Sequence, residues 1–331
     1  MKNVAVIGAG SWGTTAAWLA AANVRVRLWA RSKPVADEIN SSGFNSRYLP
    51  GCKLPPALRA TSDLADAVDD ADMIAVAVPS HGFREVFEQI VPVLPTRVPV
   101  ISLTKGIERD SLLRMTEIIA GLLPDQDPKQ IGVLTGPNLA SEIAAEQPTA
   151  AVIAVGDPQA AGKIQEVFMG PLFRVYTNDD VVGSELGGAL KNVMAIAAGI
   201  SDGLGFGDNT RATLITRALA ELTRLGVRLG GRPGTFAGLA GMGDLIATCV
   251  SDKSRNHRVG FGLAQGRSLD EVIDEMKMVA EGVKTTRAVL DLAAKFDVEM
   301  PIATHVGKVL YDDLSPREAM LSLMTREAKP E

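Results

Sequence analysis

Cysteine is almost absent. Cys52 and Cys249 are the only two, they lie far apart in the chain, and neither has a metal-ligand neighbour. That excludes a disulfide scaffold and a structural zinc site, and it fits a reducing cytoplasm. Histidine is as scarce: His81, His257 and His305 stand alone, so no metal is expected. No apolar run approaches the roughly 20 residues of a bilayer span, so no membrane anchoring is expected. Met1 leads straight into an apolar strand, so no signal peptide is expected. Neither charge dominates: 34 Lys and Arg stand against 39 Asp and Glu, a net charge of −5. Such a balance excludes a nucleic acid or anionic surface held by bulk charge. Aromatic residues are only 5% of the chain, whereas glycine is abundant, at 32 of 331 residues. So much glycine with so few rings points to a backbone that something must approach closely. At about 100–200 residues per domain, the length implies two domains.

The first half of the chain alternates between two patterns. Short apolar runs occur at Val4–Ile7, Val24–Trp29, Met73–Val78, Val98–Leu103, Ile131–Leu134 and Ala150–Val155. Helical stretches separate most of them: Thr14–Ala22, Pro34–Asn40, Phe83–Val91, Leu112–Leu122 and Asn138–Glu146. Apolar strands without alternation are buried on both faces, and strand–helix alternation implies right-handed crossovers. The expected fold is therefore a Rossmann-type, doubly wound, mostly parallel sheet over residues 1–182. From Ser184 onward the pattern is helical, at Ser184–Ile200, Asn209–Leu229, Leu269–Met276, Gly282–Phe296 and Ile302–Leu310. An all-helical domain is expected over residues 183–331.

Val4–Ile7 runs into Gly8-Ala9-Gly10-Ser11-Trp12-Gly13 and then a helix. A G-x-G-x-x-G motif in that position is the dinucleotide fingerprint. Gly8 permits the turn, Gly10 lets the backbone reach a pyrophosphate, and Gly13 lets helix and strand pack closely. An acid about 20 residues past the first glycine would bind the ribose 2′-hydroxyl of NAD. Arg31 stands there instead, with Lys33 close by. A guanidinium binds a 2′-phosphate where a carboxylate repels it, so NADP is preferred, with NAD tolerated. Alternatively, Arg31 stacks on adenine or faces solvent.

Ligands of such sheets sit beyond the carboxyl ends of the strands. Three strand ends there carry polar groups: Val78-Pro79-Ser80-His81, Thr104-Lys105-Gly106 and Thr135-Gly136-Pro137-Asn138. Lys105 reads as a cation at the crevice rim or as a surface lysine. His81 serves a cap as readily as a ligand. In the helical half, Gly187 and Gly188 share a helix face with Lys191. Interior helix glycines cost about 1 kcal/mol each, tolerable where another surface must come near. Lys191 then emerges from an otherwise apolar helix. Partly desolvated and near Lys105, it would hold its proton less tightly, as a general acid/base requires. Otherwise it is a snorkelling surface lysine. Asp244 is either a helix cap or the group that holds a lysine or a substrate hydroxyl, with Thr248 one turn on. Ser254, Arg255 and Asn256 open a helix, where free N–H groups and a guanidinium suit a phosphate. The same run also reads as a solvated charged face.

These stretches together resemble one family. GAGSWGT at 8–14, VPSH at 78–81, LTKGIE at 103–108, TGPNLASE at 135–142, GLAGMGDLIATC at 238–249, SRN at 254–256 and VAEGVKT at 279–285 occur in order. With the long segment at 187–221, they resemble the bacterial NAD(P)-dependent sn-glycerol-3-phosphate dehydrogenases. The resemblance implies Lys191 as proton donor and acceptor. It implies Lys105, Gly136 and Asn138 at the substrate, with Asp244, Ser254, Arg255 and Asn256 at its other end. Cofactor contacts would come from Ser11, Trp12, Arg31, Lys105, Ala140, Arg255, Val279 and Glu281. Asn192 and Thr248 match positions implicated in eukaryotic relatives. A phosphorylated triose as substrate, a role in phospholipid synthesis, a homodimer and a cytoplasmic location are implied in the same way. Two other readings stay open: a reductase of another small 2-keto or 3-hydroxy acid on the same architecture, and a non-catalytic NADPH sensor.

Overall fold

In the computed structural model, which describes residues 1–276 and 280–327, the apolar runs of the first half become strands of one sheet. With two further strands, β3 and β8, they make up β1 (Asn3–Ile7), β2 (Arg25–Trp29), β3 (Leu58–Thr61), β4 (Met73–Val76), β5 (Val100–Ser102), β6 (Ile131–Thr135), β7 (Thr149–Val155) and β8 (Phe173–Asn178). Their order is β3-β2-β1-β4-β5-β6-β7-β8, and every pair is parallel except β6 with β7. The order reverses where β1 pairs β2 on one side and β4 on the other, the switch point at which such sheets bind ligands. The mostly parallel Rossmann-type sheet is the expected one.

Seven helices cover this sheet: α1 (Ser11–Ala20), α2 (Lys33–Ser42), α3 (Leu64–Val68), α4 (Phe83–Ile90), α5 (Met115–Leu122), α6 (Ala140–Ala144) and α7 (Pro158–Phe168). Successive strand residues sort to opposite faces. Val4, Val6 and Leu28 pack with Ala16 of α1 and Phe168 of α7. Ala5, Ile7 and Ile74 pack with Val68 of α3 and Phe83 of α4. Burial of each larger side chain stabilises by about 1.5–3 kcal/mol. Four elements stand outside the expected runs: β3, β8, α3 and α7. The edge strand β3 has four residues and alternates buried with exposed, too short a run to stand out. In α7, Asp157 caps the Gln159 amide and Pro158 occupies the first turn.

Residues Met1–Lys105 with Leu113–Glu185 form this first compact unit; Gly106–Leu112 with the chain from Leu186 onward form a second. One helix, α8 (Val181–Gly203), runs through the division without a break. Its Glu185 is anchored in the first unit, accepting hydrogen bonds from the Thr116 amide (3.0 Å) and the Arg114 guanidinium (2.8 Å). Burial pushes the Glu185 carboxyl up despite those partners.

The second unit continues with α9 (Asp208–Arg228), α10 (Pro233–Phe236), a π-helical turn at Leu239–Gly243, and α11 (Asp244–Val250). Then follow α12 (Arg255–Ala264), α13 (Leu269–Met276), α14 (Glu281–Lys295), α15 (Pro301–Tyr311) and α16 (Pro316–Met324). Among the described residues it contains no strand, as expected. Residues 183–196 of α8 are buried without exception, so the helix is wrapped on all sides. Among the described residues, no single helix is long and apolar enough to cross a membrane.

Candidate active site

In the first unit the site is made chiefly of backbone. Gly8 has φ +120°, and a Cβ there would lie 2.7 Å from the Ala77 carbonyl oxygen. A Cβ on Gly13 would lie 1.9 Å from the Gly8 carbonyl oxygen, so only glycine lets α1 start this close to β1. At Gly10, by contrast, a Cβ would meet nothing within 4 Å, which leaves bare backbone beside open space. No side chain caps the first turn of α1 and no acid stands in it. Its free N–H groups and the helix dipole are an anion site. The indole N–H of Trp12 is buried there without a partner.

Asn45 was not singled out from sequence. It is fully buried after α2, and its amide nitrogen donates to the Ala9 carbonyl (3.0 Å) and the Thr14 hydroxyl (2.8 Å). It thereby braces the glycine turn from behind. Arg31 is exposed beyond the end of β2. Lys33 is not its partner in charge, because its ammonium is spent on Asp37 at 2.8 Å, one turn along α2.

The strand-end loops meet as a set. Thr104 Oγ1 donates to the Val78 carbonyl (2.6 Å), and Lys105 Nζ donates to the Gly136 carbonyl (2.9 Å). Gly136 has φ +125° and packs against the backbone of β7, where a Cβ would lie 3.2 Å from Ala151 Cα. Two residues on, both amide atoms of Asn138 are buried and unpartnered, and Ala140 opens α6. A buried amide with two open valences is costly unless a ligand completes it. His81 is exposed in a short turn after β4. The glycine cradle, the uncapped helix and the absence of an acid at position 31 fit a dinucleotide, its 2′-phosphate included.

In the second unit the site is made of side chains. Lys191 on α8 is 5% exposed and so is no snorkelling surface lysine. Its Nζ lies 2.8 Å from Asp244 Oδ1 and donates to Thr248 Oγ1 at 2.5 Å. Thr248 Oγ1 in turn donates to the Asp244 carbonyl (2.6 Å). The nearest charge is thus a counter-ion, which a buried ammonium needs. Asp244 is the first residue of α11 rather than its cap, and the π-helical turn before it aims its carboxylate inward. Gly187 makes the approach possible, since a Cβ there would lie 2.5 Å from the Ala240 carbonyl oxygen. Backbone of the turn, not open space, fills the room beside that glycine. Next to Thr248, burial pushes the Cys249 thiol up to about 12, which leaves it inert.

Asn192 Oδ1 accepts from Asn256 Nδ2 (3.0 Å), and Asn256 Oδ1 accepts from the Gly282 amide at the start of α14 (2.9 Å). Ser254 caps α12 through the His257 amide (3.3 Å), so Arg255 and Asn256 stand in its first turn. Arg255 keeps part of its side chain exposed there; the surrounding protein desolvates its guanidinium and lowers its pKa, and the Glu281 carboxylate opposes that shift. His257 Nε2 pairs with Asp202 Oδ2 (2.8 Å), which orients it inward, away from ligand duty. Val279 lies outside the described residues. Among the described residues no group of His, Cys, Asp and Glu is arranged to hold a metal.

Known proteins share the fold and much of the sequence. The model for the NAD-dependent glycerol-3-phosphate dehydrogenase N-terminus matches residues 3–161, and that for its C-terminus matches residues 180–321. A glycerol-3-phosphate dehydrogenase [NAD(P)+] of Geobacter sulfurreducens is 50% identical over 331 residues, covering 100% of this chain and 99% of the relative. One from Lysinibacillus sphaericus is 51% identical over 332 residues, covering 100% and 98%. The crystal structure of glycerol-3-phosphate dehydrogenase from Coxiella burnetii superimposes with a TM-score of 0.93 at 40% identity, covering 98% of this chain and 99% of that one. A ketopantoate reductase from Ralstonia eutropha, at 17% identity and a TM-score of 0.56, shares the fold alone. The chain belongs to the NAD-dependent glycerol-3-phosphate dehydrogenase family, as two family models, full-length relatives and a solved structure agree.

Proposed function

We propose that the chain catalyses the reversible NAD(P)H-dependent reduction of dihydroxyacetone phosphate to sn-glycerol 3-phosphate, with Lys191 as the proton donor. The observation that carries this reading is the buried Lys191–Asp244–Thr248 cluster in a unit that also holds the Ser254–Asn256 helix start. A bound reduced nicotinamide supplies the hydride. Lys191 donates the proton to the C2 oxygen as that oxygen gains charge, which completes the alcohol; in the reverse direction the neutral amine takes the proton back. Asp244 and Thr248 hold Nζ in place, so the donor pays no reorganisation at the moment of reaction. Arg255, Asn256 and the first-turn N–H groups capped by Ser254 take the phosphate. Lys105, Gly136, Asn138 and Asn192 complete the substrate contacts.

Gly8, Gly10, Ser11, Trp12 and Gly13 would take the pyrophosphate, with Lys105, Ala140, Arg255, Val279 and Glu281 along the rest of the dinucleotide. Arg31 favours NADPH through its 2′-phosphate, with NADH also accepted. Residues 1–182 supply most of the dinucleotide contacts, and residues 183–331 the proton donor and the phosphate anchor. Lys105, Gly136 and Asn138 of the first stretch also reach the substrate, and Arg255, Val279 and Glu281 of the second also reach the dinucleotide. A cytoplasmic homodimer that supplies glycerophospholipid synthesis is the cellular counterpart of this reading.

The test is NADPH oxidation with dihydroxyacetone phosphate against ketopantoate. Turnover of the triose phosphate is expected. Turnover of ketopantoate alone would move the chain to the ketoacid reductases, and tight NADPH binding with neither substrate turned over would make it a sensor.

A further inference from the structure

Two helices carry the two ends of the proposed substrate site: α8 bears Lys191 and α12 bears Arg255. They meet along a seam that has no room for a methyl group. A Cβ on Gly199 would lie 1.9 Å from the His257 carbonyl oxygen, and one on Gly260 would lie 1.9 Å from the Ile196 carbonyl oxygen. A third glycine continues the seam, since a Cβ on Gly203 would lie 2.7 Å from Ala264 Cβ and 2.9 Å from the Phe261 carbonyl. Contact is thus reciprocal, glycine of each helix on backbone of the other. The close approach is not a local dent at one position.

Glycine is the poorest interior helix former after proline, so four-residue spacings of it in α8 (Gly199, Gly203) run against local propensity. Sequences keep such conflicts where function asks for them. At the other end of the seam, Asn192 and Asn256 join the same two helices by a buried hydrogen bond of 3.0 Å. Asn192 directly follows Lys191, and Asn256 directly follows Arg255. The backbone contact and the amide bond therefore fix the proton donor relative to the phosphate anchor.

We propose that Gly199, Gly203 and Gly260 are positioning residues that set the distance between Lys191 and Arg255, and with it the length of phosphorylated ketone that reacts. The inference rests on the reaction proposed above and adds its length gauge. A wider seam keeps both groups but separates them, so it removes the advantage a phosphate gives without removing the chemistry. Real Cβ atoms stay beyond 3.0 Å of other heavy atoms, so alanine at Gly199 or Gly260 forces the helices apart by about 1 Å. A displacement of that size is enough to cost about 10²-fold in rate.

The experiment compares kcat/KM for dihydroxyacetone phosphate with kcat/KM for dihydroxyacetone, which lacks the anchor. Gly199→Ala, Gly260→Ala and the milder Gly203→Ala are measured beside Gly162→Ala, a helical glycine with nothing within 4 Å of its Cβ position. The folded seam variants should lose about 10²-fold with the phosphate ester and only about 3-fold with dihydroxyacetone, with Gly162→Ala unchanged. If the two tighter variants fail to fold, Gly203→Ala decides. Equal losses with both substrates, or no change in their ratio, overturn the inference while the reaction stands. No turnover of dihydroxyacetone phosphate by the unaltered chain overturns the reaction and the inference together.

Discussion

The first unit offers a ligand backbone, and the second offers buried side chains. Gly8, Gly10 and Gly13 act by what they lack, and the polar groups they expose are main-chain N–H groups of α1. Lys191, Asp244 and Thr248 act by side chains that are 5%, 2% and 5% exposed and converge from α8 and α11. A pyrophosphate is large and bears charge along its whole length, so an array of N–H groups suits it. A proton is delivered to one atom, which takes one positioned donor held by its own partners. Each unit positions its polar groups by different means.

That contrast is sharpest at Lys191. Lys191→Ala should lower kcat by about 10³-fold or more, the scale of general acid catalysis, while NADPH affinity stays within a few fold. Stopped-flow reduction paired with fluorescence titration of NADPH separates the two. If catalysis survives, Lys191 is not the acid and the second unit loses its claim to the proton step. The first unit answers to the opposite change: Arg31→Asp replaces a charge-assisted partner, worth about 1.5–3 kcal/mol, by a repelling one. NADPH should then lose about 100-fold relative to NADH in kcat/KM. An unchanged ratio would mean that the 2′-phosphate is read elsewhere.

What the amino-acid order discloses follows the same line. Gly8–Gly13 is legible because its parts lie within six residues and the strand before it sets the context. Lys191 is legible because the glycines on its helix face are odd enough to need a reason. The reason for Gly187 differs from the simplest one, since it admits the carbonyl of Ala240 rather than a ligand. Asn45 is illegible for want of a local motif: it reaches Thr14 across 31 residues of chain. Asp244 stands in a motif, but only the π-helical turn shows that its carboxylate meets Nζ. The α7 and α16 starts were written in plain caps, Asp157-Pro158 and Ser315 with Glu318, and short apolar periodicity hid them. The Gly199–Gly260 seam needs both helices in place before it has meaning.

Buried acids extend the comparison. Glu185 in the first unit leans on a guanidinium, whereas Glu221 on α9 accepts the Ile302 (2.8 Å) and Ala303 (3.3 Å) amides that open α15. Burial pushes the Glu221 carboxyl up to about 7, with those amides and the charges of Arg224 and Arg326 opposing. A folded-state value above the unfolded one means that the native protein binds the extra proton between them. The contribution is full below about pH 4.5 and is lost as pH rises through about 7. Chemical denaturation at pH 5 and pH 8 should show the native state about 2–3 kcal/mol less stable at the higher pH, relative to Glu221→Gln. Equal pH slopes for the two proteins would show that the amides keep the group charged throughout.

The smallest expected effect falls on the backbone itself. Asn45 holds the glycine turn by two hydrogen bonds, each worth about 0.5–1.5 kcal/mol, from a fully buried amide. In Asn45→Ala the turn keeps its glycines and loses its brace, so the N–H array stays present but is less well aimed. The NADPH dissociation constant should rise about 10-fold by calorimetry, and kcat at saturating cofactor should stay within about 2-fold. Asn45→Asp is the stronger probe, because a carboxylate cannot donate to the Ala9 carbonyl and repels it. If both variants bind NADPH as the unaltered chain does, the turn holds itself by glycine geometry alone. A parallel fall in kcat would break the division drawn between the units, since a brace for the dinucleotide would then also govern the proton step.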